Sequence, residues 1–134
     1  MRYLKFYVLF LAVSASMFSC TKKKADTTVA GKGGSASLMI YPQHHTVAKN
    51  LRNMKVFVKY NTSEPPSNGV YDDSATCTIT DSISMGQFSG LTNGNYYLFG
   101  SGYDTSIFQN VKGGIPYTIT QQAAQNVTLP VSED

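Results

Sequence analysis

From Ser35 onward the chain places apolar residues at alternate positions in short runs, punctuated by Gly, Asn, Asp and Pro, and no long stretch carries the helical period. Such alternation gives an extended strand one inward and one outward face, so the sequence predicts an all-β domain. The expected strands are Ala36 to Tyr41, Met54 to Tyr60, Ala75 to Thr80, Ser84 to Ser89, Tyr96 to Gly102, Tyr117 to Thr120 and Asn126 to Val131. About seven strands with turn signals between them suit an antiparallel Greek-key β-sandwich. The inward set is Ala36, Leu38 and Ile40; Val56 and Val58; Tyr96 and Leu98; Val127, Leu129 and Val131. A slip of one residue would exchange the two faces of a strand, so this pattern also specifies register. Gln121 to Gln125 suits a helical turn and is too short for a longer helix. No internal repeat is present.

The first residues belong to a different kind of segment. Arg2 and Lys5 precede an apolar stretch from Tyr7 to Phe18, and Ser19-Cys20 follows. At about 12 residues the stretch has the length of a signal-peptide core and is too short to span a bilayer, which takes about 20. This arrangement resembles bacterial lipoprotein signal peptides, in which cleavage falls just before an acylated cysteine. The resemblance implies removal of residues 1–19, lipid on Cys20 and attachment to the cell envelope. The outer membrane is the expected location, since Thr21 in place of an aspartate removes one familiar signal for inner-membrane retention; the side of it that displays the domain stays open. The alternative is an ordinary secretory peptide with an incidental cysteine.

Residues 20–35 read as a lipidated flexible tether and 36–134 as the sandwich domain. Thr21 to Ser35 holds Lys, Thr, Ala and Gly with a single Val, too little apolar surface to order itself. Gly31-Lys32-Gly33-Gly34-Ser35 lacks the spacing of a phosphate-binding loop. From Ser35 the chain carries five basic and seven acidic side chains, so the net positive charge of the whole sequence lies in its first residues. A folded body without a basic face has no electrostatic motive to bind nucleic acid. Lys22, Lys23 and Lys24 suit contact with anionic headgroups beside an anchor, or a solvated spacer.

Two segments carry a second resemblance. Leu51-Arg52-Asn53-Met54-Lys55-Val56-Phe57-Val58 and Phe88-Ser89-Gly90-Leu91-Thr92-Asn93-Gly94-Asn95-Tyr96-Tyr97-Leu98 are similar to the carboxypeptidase-regulatory-like and transthyretin-like sandwich domains. There, a strand of alternating valines is followed by Phe, Gly-Leu, a turn glycine and a tyrosine that opens the next strand. The resemblance implies the fold and no particular activity. The hydrolase branch ends in Tyr-Arg-Gly-Ser, whereas this chain ends Leu129-Pro130-Val131-Ser132-Glu133-Asp134.

Several residues are candidates for chemistry or recognition. Cys77 alternates with Ala75 and Ile79 and reads as a small inward residue, without a histidine nearby to activate it. His44 and His45, the only histidines, are adjacent in a loop; two imidazoles suit copper or zinc only if another ligand joins them. Glu64, Asn68, Asp72 and Asp73 crowd a loop that lacks the ligand alternation of a calcium site and reads as polar surface. Lys55, Phe57, Lys59, Tyr97, Phe99 and Tyr103 should point outward, and a row of exposed Phe and Tyr suits sugar stacking or a protein interface. Covering loops or cross-strand stiffening would explain the same row. Asp73-Ser74-Ala75 and Asp81-Ser82-Ile83 resemble a tripeptide used for bacterial O-glycosylation, making Ser74 and Ser82 candidate acceptors. No cofactor is expected. The expected function is a non-catalytic envelope binding or accessory module that takes a glycan or protein through Phe57, Tyr97, Phe99 and Tyr103; the alternative is a spacer or subunit of a larger envelope assembly.

Overall fold

The computed structural model describes residues 29–133, so Cys20, the signal segment and most of the expected tether lie outside the described residues. The described chain forms nine strands: β1 (Lys32–His44), β2 (Val47–Ala48), β3 (Arg52–Tyr60), β4 (Asp73–Thr76), β5 (Thr78–Thr80), β6 (Ile83–Leu91), β7 (Gly94–Asp104), β8 (Gln109–Ile119) and β9 (Ala124–Glu133). Hydrogen bonds connect them in the order β4-β3-β7-β8-β9-β1-β6-β5, with β2 beside β1. The path falls into two halves that face each other, β4-β3-β7-β8 and β9-β1-β6-β5. Only Val111–Glu133 and Lys112–Ser132 join β8 to β9, so the halves meet at one corner. The result is an all-β, nearly closed sandwich.

All pairings are antiparallel except one. β1 and β9 run parallel, from Ser37 opposite Ala124 to His44 opposite Val131. The antiparallel sandwich expected from the sequence is thus observed, with one parallel pair added where the strand that begins it and the strand that ends it lie side by side.

Alternation places the core as expected. Ala36, Leu38, Ile40, Val56, Val58, Tyr96, Leu98, Val127, Leu129 and Val131 are all buried, and Leu51, Met54, Phe88, Leu91, Val111 and Ile119 join them. Each fully buried Leu, Ile, Val or Met side chain contributes about 1.5–3 kcal/mol relative to exposure. Tyr96 is the largest fully buried side chain. Its hydroxyl donates to the Thr92 carbonyl at 2.7 Å and accepts from the Gly31 amide at 3.0 Å, which satisfies its polar tip.

Four expectations need correction. The single strand Ala75 to Thr80 is two, because the chain changes halves at Cys77. β4 pairs with β3 up to Thr76–Lys55, the Cys77 amide donates to the Met54 carbonyl at 2.9 Å, and β5 then pairs with β6 from Thr78–Met85. Period-2 reasoning fails across such a corner, and Ile79 ends 52% exposed. The strand expected at Tyr117 begins instead at Gln109, through Gly113, Gly114 and Pro116. These residues normally break strands. Here Gly113 lies close to the Pro130 backbone and Gly114 under the Tyr97 ring, leaving no room for a Cβ at either, while Pro116 is tolerated because β8 pairs on one side only along that stretch. Gln121 to Gln125 forms a bend leading into β9 rather than a helical turn.

The fourth correction concerns the end of the tether. The first strand begins at Lys32, and Ala30 is already buried. Asn61 grips Ala30 on both sides, its carbonyl accepting from the amide at 2.8 Å and its side-chain amide donating to the carbonyl at 3.1 Å. Lys32 reaches Asp73 at 2.8 Å. Composition missed this because the order comes from distant partners, not from local apolar content. A chain beginning at Ala36 should unfold about 2 kcal/mol more easily than one beginning at Val29, at roughly 0.5–1.5 kcal/mol per lost hydrogen bond. Urea titrations of the two chains check this.

Candidate functional site

The outward face of β3 and β7 carries the expected aromatic residues, and register brings two of them together. Phe57 lies opposite Phe99, their ring centroids 6.0 Å apart. Tyr71, just before β4, completes the group: it stacks on Phe99 at 5.6 Å with 19° between planes and meets Phe57 at 5.4 Å. All three are half-buried. Sequence reasoning missed Tyr71, whose only signal was its place between the Pro65-Pro66 turn and the strand at Asp73.

Tyr97 and Tyr103 flank this trio along β7. Tyr97 lies across Gly114 of β8 and beside Tyr71, whose hydroxyl pKa is raised first by burial and then by Tyr97. Tyr103 borders a depression of about 390 Å³ lined by Asn53, Lys55, Phe57, Ser101 and Asn110. A second depression, of about 380 Å³, lies on the other side of Phe57 between Tyr71, Asp72, Asp73 and Ser74. One phenylalanine therefore separates two polar hollows.

The acidic loop is already engaged with the protein. Asp72 accepts from Lys59 at 2.9 Å and from the Tyr60 amide at 2.7 Å, and Asn68 accepts from the Val70 amide at 3.0 Å. Ser74 and Ser82 are exposed, Ser82 on the turn between β5 and β6. Cys77 is half-buried, and burial pushes its thiol pKa up to about 11, which leaves it a poor nucleophile.

The two histidines are not a solvent-exposed pair. His44 ends β1 pointing inward and is fully buried, while His45 begins the tight turn into β2 with a φ of 50°. That left-handed step turns the second ring back over the first, with centroids 4.1 Å apart. His44 Nδ1 lies 2.7 Å from Asp104 Oδ2 at the end of β7. Asp104 is itself buried and accepts from Lys49 Nζ at 3.1 Å, the Ser106 amide at 2.8 Å and the Ser106 hydroxyl at 2.5 Å. Burial pushes the Asp104 carboxyl up, but the bonds from Ser106, His44 and Lys49 outweigh it and hold the group well below the usual carboxylate range.

An ionised Asp104 offers only acceptors, so His44 Nδ1 must carry the shared proton. His44 Nε2 then faces Glu133 Oε2 at 3.3 Å, within ion-pair distance but without a hydrogen bond. Glu133 Oε1 meets His45 Nε2 at 3.0 Å. The Glu133 carboxyl is drawn down to about 2, first by its own backbone N–H and then by the imidazoles. β9 thus delivers a third candidate ligand that lies 88 residues from His45 in the chain.

No protein-family model matches the chain, and no curated protein matches it. Among solved structures, a Pseudomonas aeruginosa protein provisionally described as carbohydrate binding is similar at 18% identity and a TM-score of 0.47, over 75% of this chain and 91% of that one. The likeness is one of general β-rich shape.

Replacing Asp104 with alanine would leave the His44 ring and the Lys49 amine without their shared acceptor. The variant should lose about 3 kcal/mol of stability or more, as when one partner of a buried charged pair is removed. Equilibrium urea unfolding, compared with the surface change Asp81→Ala, measures this.

Proposed function

We propose that this chain is a non-catalytic binding module held at the cell envelope by lipid on Cys20, and that its β3–β7 face binds a glycan. One observation carries the ligand reading: Phe57, packed with Tyr71 and Phe99, stands between two hollows lined by polar side chains. A sugar ring has an apolar C–H face and a rim of hydroxyls. Aromatic rings suit the first, and Asn53, Lys55, Ser101 and Asn110 on one side, with Asp72 and Ser74 on the other, suit the second. The outer-membrane reading is supported by the residues from Arg2 to Cys20, and the carboxypeptidase-regulatory-like or transthyretin-like affinity by the segments around Val56 and Tyr96. Both belong to this proposal.

The full-length chain in detergent, tested on an array of neutral and acidic glycans, should retain at least one class. Tyr71→Ala and Asn110→Ala should each weaken that binding about tenfold, which corresponds to about 1.4 kcal/mol; Asn110→Ala, on an exposed side chain, should do so with thermal unfolding unchanged. Absence of retained glycan would sink the ligand reading, and so would crosslinking of Tyr71 to an envelope protein, which would favour the spacer or subunit role. Separately, Cys20→Ser should move the protein from the membrane fraction of cells to the aqueous one. An unchanged distribution would remove the lipid anchor.

A further inference from the structure

The corner where β1, β7 and β9 meet holds a group of side chains that glycan binding does not use. One ring nitrogen each of His44 and His45 and one Glu133 carboxylate oxygen lie within 4.8 Å of one another. We propose that these three atoms bind a divalent transition-metal cation of the zinc type, with a fourth position open to solvent.

Geometry makes the first argument. A tetrahedral zinc ion with bonds of about 2.0–2.1 Å sets its ligand atoms about 3.3 Å apart. Glu133 Oε2 is 3.3 Å from His44 Nε2, and Glu133 Oε1 is 3.0 Å from His45 Nε2. Small rotations of the exposed Glu133 and His45 side chains would bring all three donors around one ion. Their relative exposures of 37% and 64% leave an entry path from solvent.

The second argument is the state of the buried ring. Asp104 takes up the Nδ1 side of the His44 ring, and Nε2 on the other side is the one buried side-chain polar atom among the described residues without a hydrogen bond. An unpartnered buried polar atom is destabilising, and a cation would satisfy it. Carboxylate, histidine and metal in series is the usual arrangement in which an outer carboxylate fixes the tautomer and the ring plane. Lys49 and both Ser106 donors hold Asp104 in place for this role, which makes it a positioning residue.

The chemistry of the set makes the third. Two imidazoles with one carboxylate suit zinc or copper and are poor ligands for calcium or magnesium, which favour oxygen. The turn at His45 and Thr46, with φ values of 50° and 64°, is what points both adjacent histidines at Glu133. A regular strand would have sent them to opposite faces.

The test uses the full-length chain carrying Cys20→Ser, so that this thiol supplies no ligand, stripped with EDTA and titrated with Zn2+ alone by calorimetry. One equivalent should bind, and Co2+ in its place should give the visible absorption bands of a four-coordinate ion. His45→Ala and Glu133→Gln alter exposed side chains on which folding does not rest. Each should weaken Zn2+ binding at least about tenfold and abolish the rise in melting temperature that Zn2+ gives the parent. Failure of the parent to bind, or binding by either variant as tight as the parent's, would overturn the site. Neither outcome bears on the glycan face, where none of these residues lies.

Discussion

An apolar layer shared by two half-sheets constrains everything else in this molecule. Leu38, Ile40, Val56, Val58, Leu98 and Leu129 exclude water completely, and they do so only if every strand keeps its register against its neighbours. Register in turn fixes what the opposite faces show. Because Val56 and Val58 face in, Phe57 must face out, and because Leu98 faces in, Phe99 stands opposite it on the same outer surface. The aromatic face is a by-product of the core.

The ends of such a layer are harder to close than its middle. Where β1, β7 and β9 finish together, the structure spends polar groups rather than apolar ones. Asp104 is held in ionised form by Lys49, His44 and Ser106, and no water is needed to satisfy it. A buried charge of this kind gives little net stability against an apolar plug, yet removing any one partner is strongly destabilising. It therefore selects one arrangement of three strand ends, and that arrangement brings both histidines to Glu133.

The aromatic face and the histidine corner differ in character for the same reason. The aromatic face lies on mid-strand positions, where alternation dictates direction, with one residue, Tyr71, added by a loop. The histidine corner lies at strand ends, where a left-handed turn overrides alternation. The first could be read in outline from Phe57, Tyr97, Phe99 and Tyr103; the contact with Tyr71 could not, because nothing local ties Tyr71 to Phe99. For the second, the sequence offered the two histidines as candidates without their third partner.

By itself the sequence determined the all-β class, the inward residues of most strands and the outward direction of the β3 and β7 aromatics, because side-chain direction in a strand depends only on parity. It did not determine the parallel pairing of β1 with β9, the change of halves at Cys77, the strand hidden among Gly113, Gly114 and Pro116, or the anchoring of Ala30 by Asn61. Those depend on which distant backbone groups come within hydrogen-bonding reach. Likewise His44 and Asp104, 60 residues apart, became a buried pair only when the strand ends converged, since a charge can stay out of water only where the rest of the fold delivers its partners.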